Sequence, residues 1–161
     1  MNGDFLKEIL THTSVKASEC FGCTNEQLAA ISRLYNVRVD GQLGEFLSVM
    51  GRCDGGMFGP EVIPLYKPSW RVREHLLFQT DFLTQMQDGG FYKYLGMPFV
   101  FCMLSSDQYY YVRTKECDAV CHFDAKANFV KEMSYDLSGF LKALVSQVER
   151  TFPVQGDLLN I

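Results

Sequence analysis

Residues 98–124 read PFVFCMLSSDQYYYVRTKECDAVCHFD, and this stretch decides the fold. Residues 99–104 form an unbroken apolar run, the pattern of a central strand covered on both faces. Ser105, Ser106 and Asp107 read as a turn. Residues 108–113 (QYYYVR) are strongly β-forming, and residues 114–118 make a second turn. A further strand at 120–123 is terminated by the polar run 124–128. The connections are too short for parallel crossovers, so the strands must run antiparallel.

Toward the C-terminus, Leu137, Phe140, Leu141, Leu144, Val145 and Val148 give a strong amphipathic signal for a helix over 136–150, with Ser134 as its cap. Residues 151–161, broken by Pro153 and Gly156, read as a tail. Toward the N-terminus, Ser69 can cap a helix that runs to Gln87, before Gly89 and Gly90. Phe78, Phe82, Met86, Val72, Leu83 and Leu76 share one arc of it, the normal core face. Trp70 and Leu77 fall on the opposite side.

Before that helix lies GRCDGGMFG, residues 51–59. It lacks the GxGxxG spacing and any following Lys-Ser or Lys-Thr, and Glu61 would repel phosphate. It reads as a structural turn in which Gly55 and Gly56 supply positive φ, feeding a strand at 62–66. Upstream, Thr24 caps a helix with Gln27 at the capping-box position and Leu28, Ile31 and Leu34 or Tyr35 on one face. Asn36 ends it. After the linker 37–39, a second helix begins at Asp40, carries Leu43, Phe46, Leu47 and Met50 inward, and stops at Gly51. Residues 1–23 read as a leader with one short helix at 5–10. Helices, then strands, then a final helix make a single α+β domain over 24–150: an antiparallel β-sheet packed by N-terminal, middle and C-terminal helices.

The 161 residues favour one domain, and 47% hydrophobic content is enough for a core. A formal charge of −4 argues against nucleic acid as partner. The longest apolar run, residues 99–104, is far shorter than the roughly 20 residues of a membrane span. MNGDFLKEIL has no apolar signal core, so a cytoplasmic location without membrane contact is expected. There the six cysteines are expected to stay reduced. Cys20 and Cys23 form a CxxC pair ahead of a helix, whose dipole would favour a thiolate. Zinc would need further ligands, for which Cys117, Cys121 and His122 are the clustered candidates. Structural thiols, with no cofactor and no metal, are the expectation.

No catalytic residue emerges. The histidines are His12, His75 and His122. His122 adjoins Cys121 on a strand, where neighbours point to opposite faces and cannot form a dyad. Asp54 and Glu61 flank the glycine turn as solvated acids rather than a catalytic pair. Tyr109, Tyr110 and Tyr111 read as a strand with aromatic faces, not as base-stacking platforms.

The segment EQLAAISRLYNVRVDGQLGEFLSVMGRCDGGMFG, then VIPLY, PFVFCML, QYYYVR, AVCHFD and SYDLSGFLKALV, resembles the SUKH superfamily in element order and spacing. That group includes fungal cell-wall regulators and many bacterial toxin-immunity proteins. Val39-Asp40 stands where the family commonly has Leu-Pro. The resemblance implies antiparallel strands packed by helices and no catalytic residues. It also implies a partner protein, most often a cognate toxin, frequently a nuclease, that is bound and neutralised. An acidic blocker suits a basic cleft. Trp70 and Leu77, seven apart on one side of the third helix, are the candidate contact residues, with Trp70 either an aromatic interface anchor or a residue that covers a sheet edge or precedes the helix. Lys67, Arg71 and Arg73 flank Trp70, and Asp81 and Asp88 follow. A regulatory or scaffolding module of the same fold, or a thiol redox or metal protein using Cys20 and Cys23, are the alternatives.

Overall fold

The computed structural model describes residues 4–58 and 72–146. In chain order these form α1 (Asp4–Leu10), β1 (Cys20–Phe21), α2 (Asn25–Tyr35), α3 (Gln42–Met50) and β2 (Cys53–Asp54). Then come α4 (Val72–Asp88), β3 (Pro98–Ser105), β4 (Gln108–Arg113), β5 (Ala119–Asp124), β6 (Phe129–Asp136) and α5 (Leu137–Val145). The fold is α+β. β3 to β6 make an antiparallel meander in sequence order, while β1 and β2 pair separately. The expected strand at 62–66 and cap at Ser69 lie outside the described residues, as do residues 147–161.

The apolar run in β3 was expected at the sheet centre, yet among the described residues β3 ends the sheet. Its apolar character comes from cover on both faces. Phe99, Phe101 and Cys102 join one core while Val100 joins another. The register shift between Val100 and Cys102 lets Phe101 and Cys102 serve the same core despite adjacency, as a bulge allows. Gln79 of α4 holds this point, its Nε2 donating to Val100 O at 3.0 Å and its Oε1 accepting from Val100 N at 3.2 Å.

The sheet separates two cores. On one face α1, α2, α3 and α5 bring Ile9, Ile31, Phe46, Leu47 and Leu141 against Phe99, Val112 and Val120. On the other, Phe82 and Met86 of α4 cover Val100, Tyr109, Tyr111, Cys121 and Phe123. Residues 1–23, expected as a leader, contribute Ile9 and Val15 to the first core and supply β1. The packed unit therefore begins within that segment.

Local signals explain most element ends. Thr24 Oγ1 accepts from Gln27 N at 3.2 Å, and Gln27 Oε1 from Thr24 N at 2.9 Å, a complete capping box. Asn36 terminates α2 at φ 53°. α3 starts at Gln42 rather than Asp40 because its cap comes from elsewhere: Asp118 Oδ2 accepts from Leu43 N at 2.9 Å. Gly41 leaves room for that carboxylate, which would lie 2.4 Å from an added Cβ. Gly51 follows α3 at φ −66°, so it is not a left-handed stop. An added Cβ there would meet Leu47 O at 2.5 Å and Cys23 Sγ at 2.8 Å. Ser134 does not cap α5, because it still belongs to β6. Asp136 does, its Oδ1 accepting from Gly139 N at 2.8 Å.

Candidate protein-binding surface

α4 positions the candidate surface. Its buried stripe is His75, Gln79, Phe82 and Met86, with Phe78 and Leu83 packed alongside. At 100° per residue, Leu77, Asp81 and Asp88 lie within about 40° of one another, opposite that stripe. Leu77 is 62% exposed, and Asp81 and Asp88 are exposed beside it. The structure therefore brings together three of the expected contact residues on one helix face. Trp70, Lys67 and Arg71 lie outside the described residues, as does the side chain of Arg73.

The polar groups of this face are held in place. Thr80 and Thr84 donate their hydroxyls to Leu76 O at 2.8 Å and Thr80 O at 3.0 Å. Gln85 Nε2 donates to Asp81 Oδ2 at 2.7 Å and to Tyr109 Oη at 3.0 Å. This ties the helix surface to the stacked rings of Phe78, Tyr109 and Phe123. Burial raises the Tyr109 phenol above its ordinary range, and the nearby Asp81 and Asp107 charges push the same way. Tyr109 therefore stays a neutral hydroxyl.

At its C-terminal end the stripe runs into an open hollow of about 260 Å³, lined by Gln85, Asp88, Gly89, Phe123, Ala125 and Asn128. Two turns build it. α4 closes with Gly89 N, Gly90 N and Phe91 N donating to Gln85 O, Gln87 O and Met86 O, and Gly90 takes φ 76°. Across from it, Asp124 Oδ1 accepts from Ala127 N at 2.7 Å, Ala125 N donates to Asp107 O at 2.8 Å, and Asn128 sits at φ 54°. Sequence reading flags Gly89-Gly90 as a helix stop and 124–128 as a strand end. That the two turns meet depends on α4 lying across the sheet, which no local pattern specifies.

The other candidates serve local structure. Gly55 and Gly56 adopt φ 66° and 80°, the positive values expected of them. The buried Asp54 carboxylate accepts from Gly56 N and Phe58 N, both at 2.9 Å. Burial raises its pKa, and those donors oppose the rise. It faces its own turn, not solvent as expected, and Glu61 lies outside the described residues. Cys20 lies in β1, four residues before the α2 cap. Burial, with Asp54, Cys53 and Glu19 nearby, pushes its thiol up to about 11, opposite to the thiolate expected from the helix dipole. Cys117 is exposed, Cys121 is buried on the α4 face, and His122 stacks on Tyr110 at 4.7 Å on the other. The described residues contain no group of three that could hold a metal.

Among the described residues no helix is long and apolar enough to cross a membrane. No protein-family model matches the chain, and no curated protein matches it.

Proposed function

We propose that this chain is a protein-binding domain that neutralises a toxin protein by covering its active site, with the outward face of α4 as its contact surface. The observation that carries this is Leu77, a large apolar side chain left 62% exposed on a helix whose other side is fully engaged in a core. An apolar anchor in a polar surround is the composition of an interface hot spot. Asp81, Asp88 and the chain charge of −4 add a field that would steer a basic partner, such as a nuclease cleft, toward this face. Trp70, seven residues before Leu77, is the second anchor in this proposal. The SUKH-like order of elements supports the immunity role. In this proposal the encounter takes place in the cytoplasm and the chain has no catalysis of its own.

The test is to read the adjacent reading frames for a toxin domain and co-express that domain with this chain. The parent chain should restore growth, and Leu77→Arg should not, while both unfold at similar denaturant concentration. Leu77→Ala should weaken the purified complex by about 1–2 kcal/mol and leave stability within about 0.5 kcal/mol. Full protection by Leu77→Arg would remove α4 from the contact.

A further inference from the structure

We infer that the hollow at the C-terminal end of α4 receives a guanidinium group, an arginine side chain presented by the partner. This rests on the protein-binding reading and names the chemistry of one contact. The hollow offers acceptors and no cation. Asp88 contributes a carboxylate, and none of the six lining residues is basic. The two amide protons of Gln85 are committed to Asp81 and Tyr109, which leaves its carbonyl oxygen to accept. Asn128 Oδ1 stands at the wall, 2.8 Å from where a Gly89 Cβ would lie.

The backbone adds to the same polarity. A helix C-terminus carries partial negative charge and ordinarily attracts Lys or Arg in its last turn. α4 has no basic residue there. Gly89, Gly90 and Phe91 satisfy the carbonyls of residues 85–87, so what remains is the field of the helix end together with Asp88. A volume of about 260 Å³ exceeds what a compact ammonium needs and admits a planar group with its flanking methylenes. Acceptors spread over Gln85, Asp88 and Asn128 suit a fork of five donors better than a point charge. An anion would meet Asp88 and find no side-chain cation.

The experiment is an amide-resolved NMR titration of the full chain with N-acetyl-arginine-N-methylamide, with the lysine and citrulline analogues in parallel. The arginine probe should shift the amides of Gln85, Asp88, Gly89, Ala125 and Asn128, saturating in the millimolar range, and citrulline should not. Asp88→Asn, an exposed substitution whose spectrum also reports folding, should weaken the response roughly fivefold. Equal shifts with citrulline, shifts mapping elsewhere, or an unchanged response in Asp88→Asn would overturn the inference. Equal affinity for lysine would overturn the choice of guanidinium. Because the titration needs no toxin, its failure with Leu77→Arg still abolishing protection removes only the arginine contact.

Discussion

His75 holds its imidazole inside the protein, stacked on Phe99 with ring centroids 5.5 Å apart and met edge-on by Tyr35 at 5.1 Å. Burial lowers its pKa to about 4 from an ordinary 6.5. The unfolded chain therefore takes up a proton on acidification before the folded chain does. Stability is lost as pH falls from 6.5 toward 4, by roughly 3 kcal/mol across the window. Asp54 and Asp118 act with the opposite sign, since burial raises their pKa values and folding favours their protonated forms. Urea unfolding of the parent and of His75→Phe at pH 7, 5.5 and 4 separates these contributions. The parent should lose about 3 kcal/mol more than the variant, and equal losses would show that His75 is not the source. Helical phase alone puts His75 and Gln79 inside the arc of Phe78, Phe82, Met86 and Val72. Choosing core residues by hydrophobicity passes over them, because their value there is stacking and a bond to Val100 rather than apolar area.

Elements whose limits depend on neighbours in sequence were legible, and those set by distant residues were not. Thr24, Gln27 and Asn36 bound α2 through local bonds, so their spacing suffices. The α3 start depends on Asp118, 75 residues away. β6 carries little strand signal because FVKEMSYD places Lys131 on the same face as Phe129 and Met133 and exposes Glu132, which blurs the period-2 pattern. Polar residues of this kind are how an outermost strand resists unwanted pairing. The β1–β2 pair supplies a prediction for the glycine turn. Gly55 sits at φ 66°, and a Cβ there would lie 2.5 Å from Val15 Cγ1 and 3.2 Å from Glu19 Cβ. Gly55→Val should cost about 2–3 kcal/mol in chemical denaturation, and its folded fraction should still bind the partner. Unchanged stability with lost binding would make the turn a ligand loop instead.

At the scale of the molecule, two cores share one sheet, and the first of them is closed by both ends of the described chain. α1 packs on α3 and α5, and Glu8 pairs with Lys142. Ile9 is fully buried there, so Ile9→Ala should cost about 2–4 kcal/mol by urea unfolding. Loss below about 0.5 kcal/mol, the range of a surface substitution, would return residues 1–23 to the status of a leader. That segment carries little signal of its own because α1 is only 7 residues long, so the burial of Ile9 depends on the packing of α3 and α5 against it. Leu77 was legible for the converse reason: one helix, one phase and one misplaced apolar residue suffice. The closure of α1 by α5 also bears on how the protein is born. On a ribosome adding roughly 5–20 residues per second, Ile9 emerges on the order of ten seconds before Leu141. Through that interval the α4 layer over the β3–β6 meander can assemble from near neighbours, while the opposite core waits for its last wall. A nascent chain thus carries its first helix as exposed apolar surface until α5 has been made, and that is the stage at which a chaperone would find it.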